Sequence, residues 1–223
     1  MHVRHCCHPI RMMAGASVIV TFALLWSISA FAGQAKVVLL RGWFGVFSTG
    51  LDSLADELKA KGIDAQVAGH LSWNTAVSNI VREQAAGKTG ALVLVGHSQG
   101  ANNVIDMARA LAAYNISVDL LVTLAPFMQN PVPANVVRAI NYYQSRGWGS
   151  PLAADPGFHG KLANIDVAND PTIFHINIDK SVRVRAEISR EILALSQETA
   201  TEKVIGQPAA AIGAGSGRNA NTR

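Results

Sequence analysis

Residues 91–102 read A-L-V-L-V-G-H-S-Q-G-A-N, an apolar run that halts at Gly96 and resumes at helical spacing after Ser98. A glycine two residues to either side of a serine lets a strand enter a helix with almost no loop, because no Cβ blocks the chain passing beside it. The serine is then held in a strained conformation at the tip of the turn, with its hydroxyl clear above the sheet edge. That is how a nucleophile is presented. A bare G-x-S-x-G is a weak signal, but here Ala91–Val95 reads as a buried strand and Ala101, Val104, Ile105, Ala108, Leu111 and Ala112 recur at helical spacing. The competing reading is a tight strand-to-helix turn that needed only small residues.

A serine hydroxyl attacks poorly until a base takes its proton, so a histidine must come from elsewhere in the chain. Downstream of residue 32 the histidines are His70, His97, His159 and His175. His97 neighbours Ser98, its side chain should diverge from the serine at such a turn, and it is read as positional. His70 follows the second strand and reads as a loop or capping residue. His175 follows the last strand and precedes the closing helix, which puts it above the carboxyl edge of a parallel sheet, where sites of open α/β folds form. His175 is the expected base, with His159 in reserve.

These side chains must be carried by an alternation of apolar runs and amphipathic helices, the pattern of a mostly parallel sheet with helices on both faces. Strands are expected at Lys36–Leu40, Ile63–Val67, Ala91–Val95, Val118–Leu124, Val137–Tyr143 and Lys161–Val167. Leu51, Leu54, Ala55 and Leu58 mark one helix face with Thr49 as its cap; Ser72 would cap a second, carrying Trp73, Val77, Ile80 and Val81. Val184, Ile188, Ile192 and Leu195 mark the closing helix. Ser145–Gly160 has no period of its own and reads as a long connection over the sheet edge.

Composition bounds the rest. Arg4 and Arg11 precede an uncharged stretch ending at Ala30-Phe31-Ala32, so residues 1–32 are expected to be a signal peptide cleaved after Ala32, giving a secreted or periplasmic protein. An uncleaved anchor over residues 14–33 is the alternative, and only then would the chain be tied to a membrane. Residues 197–223 lose hydrophobic period and read as a flexible tail. Residues 33–196 would then form one domain with minimal or no lid. Both cysteines, Cys6 and Cys7, fall in the leader, so the exported chain would have neither a disulfide nor a thiolate metal site. The same cut leaves 17 basic against 15 acidic residues, and no basic cluster interleaves with aromatics as nucleic-acid binding would require. Gly87-Lys88-Thr89 is not a phosphate loop, because Arg82 stands where its first glycine belongs and a strand follows.

G-H-S-Q-G after a strand, a glycine-rich loop after the first strand and a late histidine together resemble the α/β-hydrolase superfamily, especially its small lipase- and esterase-like members, over roughly Lys36–Leu195. The resemblance implies a chain order of nucleophile, acid, histidine, and so an acid between Ser98 and His175. Asp119 begins its strand, about 20 Å from the reactive edge, and is set aside. In such hydrolases the acid usually follows the fifth strand named above; the earlier position used by some members is occupied here by Ala125. Asp155 is therefore the expected acid, Asp170 second and Asp166 third, although Asp155 beside Pro156 and Gly157 is also an ordinary turn former. Asp179 reads as a helix cap. By the same resemblance, the oxyanion donors would be the backbone N–H groups of Gln99 and of Trp43 in the Gly42–Gly45 loop. Arg41 stands where many relatives have histidine.

Trp43, Phe44, Phe47, Phe127, Met128, Trp148 and Phe158 fall on the expected edge loops. Phe44, Phe127 and Trp148 are the expected substrate contacts of an apolar mouth suited to an acyl chain; the alternative is that these residues only pack loops onto the sheet. The resemblance thus implies a serine hydrolase cleaving a small-molecule or lipid ester through an acyl-enzyme, with no metal or organic cofactor, and the leader implies its export. A thioesterase with the same machinery, or a hydrolase-shaped binding protein without turnover, are the other readings.

Overall fold

The computed structural model describes residues 35–88 and 90–206. The expected leader with its cleavage site, the candidate anchor and Cys6 and Cys7 lie outside the described residues, as do residues 207–223.

Six strands form at the six expected places: β1 (Lys36–Arg41), β2 (Asp64–Gly69), β3 (Leu92–His97), β4 (Leu120–Leu124), β5 (Arg138–Tyr143) and β6 (Lys161–Asp166). All pair in parallel in the order β2-β1-β3-β4-β5-β6. The helices are α1 (Gly50–Lys59), α2 (Trp73–Ala85), α3 (Gln99–Ala112) and α4 (Val182–Gly206).

Side-chain alternation along β1 divides the core in two. Val37 and Leu39 face α1 and α4, packing with Leu51, Leu54, Val184 and Ile188. Val38 and Leu40 face α2 and α3, packing with Ile80, Val104, Ile105 and Leu111. With helices on both faces, the central strand β3 is buried along its whole length and reads as a continuous apolar run, whereas β6, at the edge, is largely exposed. The chain leaves β1 for β2 on one side, then crosses back to place β3 on the other, so β1 and β3 flank the point where strand order reverses. A crevice opens there above the carboxyl ends of the strands. The Gly42 loop and Ser98 both emerge at it.

Three local expectations are corrected. Neither Thr49 nor Ser72 caps a helix through its side chain; α1 instead receives the Asp179 carboxylate, which accepts the Gly50 N–H at 2.7 Å. Asp179 is thus a cap supplied from 129 residues away. Helix α4 continues past Ser196 to Gly206, so residues 197–206 are helical rather than tail.

Candidate active site

Ser98 has φ 56° and ψ −122°, a left-handed conformation that a side chain adopts only under constraint. The constraints are visible in the two glycines. A Cβ on Gly96 would lie 2.3 Å from the Gly100 carbonyl oxygen, and one on Gly100 would lie 2.2 Å from that of Leu40. Helix α3 can therefore start this close to β1 and β3 only without side chains there. The Ser98 N–H donates to the last carbonyl of β4, Leu124 (2.9 Å), and its own carbonyl accepts from Ala101 (3.0 Å), fixing the bend from both sides.

His175 arrives from the loop after β6, and its Nε2 lies 3.0 Å from Ser98 Oγ. The two residues are 77 positions apart in sequence, and the expected nucleophile and base are hydrogen-bonded. Asp170 accepts the Thr172 N–H (3.0 Å) and hydroxyl (2.6 Å), Asn177 ties Phe174 N to Thr172 O, and Gln144 Nε2 donates to Ile173 O (2.7 Å). The base loop is thus stapled along its length. Trp148 stands beside the imidazole, ring centroids 4.9 Å apart. Burial, with a smaller contribution from the neighbouring His97, pushes the His175 pKa down to about 4, so the ring is neutral and ready to accept a proton at ordinary pH.

Among the described residues no carboxylate completes the set. His175 Nδ1 is buried without a hydrogen-bond partner among the described residues. Asp155, the expected acid, pairs with Arg109, and its N–H donates to Val132 O. Arg109 is ten residues along α3 from Gln99, about 15 Å from the elbow at 1.5 Å per residue. Connection 144–160 runs back across the sheet, so by residue 155 it has reached the far end. The other two candidates are also occupied. Asp170 spends its oxygen on the Thr172 turn, and Asp166 accepts the N–H groups of Ser145 and Ala168; these hydrogen bonds hold both carboxyls below the usual range. His159, the reserve base, lines a cavity with Asp119 and Lys161, residues at the starts of β4 and β6, and lies at the wrong edge of the sheet. His70 begins a 3₁₀ turn after β2.

The expected oxyanion donors flank the serine. Gln99 N–H is the first of α3 and has no carbonyl within its own helix to meet. The Gly42 loop closes on Ser98 so tightly that a Cβ on Gly42 would be 2.9 Å from Ser98 Cβ and 3.4 Å from its Oγ. The Gly42 N–H is taken by Ser48 Oγ (3.0 Å), while among the described residues the next one, Trp43 N–H, is unpaired. Arg41, which stands where many relatives of the resembled family have histidine, pairs with Asp52 of α1.

Trp43, Phe127 and Trp148 form a ladder of tilted and stacked rings with centroids 5.2 and 5.8 Å apart, ending at His175. Phe44 lies outside this ladder, 85% exposed, and lines an open apolar cavity of about 590 Å³ that starts at Gly42 and reaches Leu71. Phe158 departs from the expectation and packs against the core under α2 and α3. Two residues that sequence reading passed over position the site. Asn102, fully buried on α3, accepts the N–H groups of Phe127 and Met128 and donates to Met128 O, so it holds the loop carrying Phe127. Ser48 holds the Gly42 loop. A polar Asn102 beside the apolar face of α3 was the available signal for the first; Ser48 had none. Among the described residues no three His, Cys, Asp or Glu side chains converge as a metal set.

No protein-family model matches the chain, and no curated protein does. Among solved structures it is similar to a gene product of Listeria innocua (13% identity, covering 70% of this chain and 92% of that one, TM-score 0.49). It is also similar to human thioesterase 2 (11%, 74% and 97%, TM-score 0.47) and a cutinase-like protein from Cryptococcus sp. (13%, 79% and 98%, TM-score 0.39). The α/β-hydrolase-like fold rests on the chain's own sheet order and elbow.

Proposed function

We propose that the chain is a serine hydrolase that cleaves carboxylic esters or thioesters through an acyl-enzyme. The observation that carries this reading is the 3.0 Å contact between His175 Nε2 and the hydroxyl of a serine held at φ 56°. In the first step Ser98 Oγ attacks the acyl carbonyl as its proton passes to His175 Nε2. The tetrahedral oxyanion takes hydrogen bonds from Trp43 and Gln99 N–H, donors whose loss singly slows such chemistry by about a hundredfold or more. Collapse breaks the bond to the leaving group, which takes the proton from His175. Water, deprotonated by the same nitrogen, then releases the acid and restores Ser98.

The aromatic ladder and the groove from Gly42 to Leu71 favour an apolar acyl portion. Neither distinguishes an alcohol from a thiol leaving group. Hydrolysis of matched ester and thioester series of graded acyl length, by wild type and Ser98→Ala, tests the reading. Turnover lost in the variant supports it; turnover equal in both proteins overturns it.

The unpartnered Nδ1 of His175 favours a second reading, a binding protein of hydrolase shape without turnover. Removing the acid from a working triad costs up to about 10⁴ in kcat, so the proposal is of a slow dyad enzyme rather than a full triad. Export belongs to the same proposal: the secreted protein should begin at Gly33, and a mature N-terminus at Met1 or Met12 would refute it.

A further inference from the structure

We propose that His97, with Ser48, is a positioning pair that locks the base and the oxyanion loop into one assembly, standing in for the missing carboxylate. The inference rests on the hydrolase reading but concerns a residue outside the reacting atoms. His97 ends β3 and is 1% exposed, its ring turned away from the serine that follows it. Its Nε2 lies 2.7 Å from the carbonyl oxygen of His175, its Nδ1 2.8 Å from Ser48 Oγ, and Ser48 Oγ 3.0 Å from Gly42 N.

The proton positions along this chain follow from its ends. Gly42 N–H can only donate and the His175 carbonyl can only accept. So His97 carries its proton on Nε2, its Nδ1 accepts, and Ser48 turns its hydroxyl hydrogen toward the ring while receiving Gly42. Every group is satisfied, and the ring must be neutral for that to hold. Burial, outweighing the carbonyl contact, keeps it so by pushing the pKa down to about 4.

The consequence is mechanical. Among the described residues the His175 ring has one hydrogen bond, the one to Ser98, and nothing grips its other nitrogen. A triad carboxylate would orient such a ring through Nδ1; here the base is gripped through its own backbone. The same imidazole reaches the loop that bears Trp43, so the proton acceptor and the oxyanion donor are referenced to a single buried ring.

Three variants test this. His97→Phe removes both contacts. His97→Gln keeps a donor that reaches the His175 carbonyl. Ser48→Ala frees Gly42 and His97 Nδ1 but keeps the His97 contact to the His175 carbonyl. We expect kcat to fall about tenfold or more in His97→Phe with KM changed less than about threefold, partial recovery in His97→Gln, and non-additive losses when His97→Phe is combined with Ser48→Ala. A readout independent of turnover accompanies these: the Gly42 amide should lose about tenfold or more of its exchange protection in His97→Phe, although its N–H bonds Ser48 and not His97, and nitrogen NMR should find His97 as the Nε2–H tautomer. Additive effects, a His97→Gln as slow as His97→Phe, or unchanged Gly42 protection would overturn the inference. A wild-type chain without turnover would refute the hydrolase reading alone, since exchange and tautomer still decide the role of His97.

Discussion

A base without a carboxylate partner should announce itself in the acid limb of the rate profile. A carboxylate at Nδ1 would favour the imidazolium and hold the His175 pKa near or above 6.5; burial beside a second neutral imidazole drives it to about 4 instead. The base is active only when unprotonated. With a pKa near 6.5, about a tenth of the enzyme would be competent at pH 5.5; with a pKa near 4, about 97% would be. The kcat/KM for an activated short-chain ester should therefore change less than about 1.5-fold between pH 7.5 and pH 5.5, and halve only near pH 4. Far-ultraviolet circular dichroism at each pH separates this limb from unfolding, which also threatens at low pH. Buried, neutral His97 has a folded pKa below its unfolded value, so its contribution is full above about 6.5 and is lost as pH falls toward 4, about 3 kcal/mol in all. A tenfold drop in rate by pH 5.5 in a protein that remains folded would refute the reasoning and require a carboxylate beside His175.

Three further outcomes follow from the same geometry. Trp148→Ala strips the wall beside the imidazole, so the acid limb should move up toward 6.5 and the preference for longer acyl groups should weaken; an unmoved limb would mean that Trp148 does not shield the ring. Asp155→Asn breaks only the Arg109 pair at the far end of α3, and should leave kcat/KM within about twofold and cost about 1 kcal/mol or less in urea unfolding; a hundredfold loss of activity would restore Asp155 as the acid. Asp179 is fully buried, with one carboxylate oxygen unpaired, and burial pushes its pKa up to about 6. Its ionisation therefore opposes folding above pH 6 and not below about 4, so Asp179→Asn should stabilise by up to about 3 kcal/mol at pH 7.5 and by much less at pH 4.5; equal stability at pH 7.5 would contradict this.

The legible parts were those governed by short-range patterns. The inner strands β1, β3 and β4 follow from apolar runs because a parallel sheet covered on both faces leaves little choice of residue, and Ser98 follows from glycines at two places where backbone meets backbone. His175 is legible from its position after β6 among few histidines. The acid is not, because topological order says which loop a residue is on, not where that loop has travelled. Asp155 follows a connection that returns to the opposite edge, where Ala154 bridges to Val132. The caps are illegible for a related reason: Thr49 and Ser72 have suitable chemistry, but Asp179 is delivered to α1 from 129 residues away. The turn predicts that His97 points away from Ser98, but its link to Ser48 and to the His175 backbone joins the end of β3 to two loops that sequence spacing does not relate.

The most direct measurement of whether Ser98 is activated by His175 is a covalent one. A fluorophosphonate reacts with a serine whose proton can be taken and leaves unactivated hydroxyls alone, so the site of the adduct reports the dyad whatever the natural substrate. Peptide mass spectrometry should find one adduct, on Ser98, formed in wild type, absent in Ser98→Ala and slowed by several orders of magnitude in His175→Ala. A folded wild-type chain that takes no label, or an adduct that forms equally fast without His175, would contradict the account.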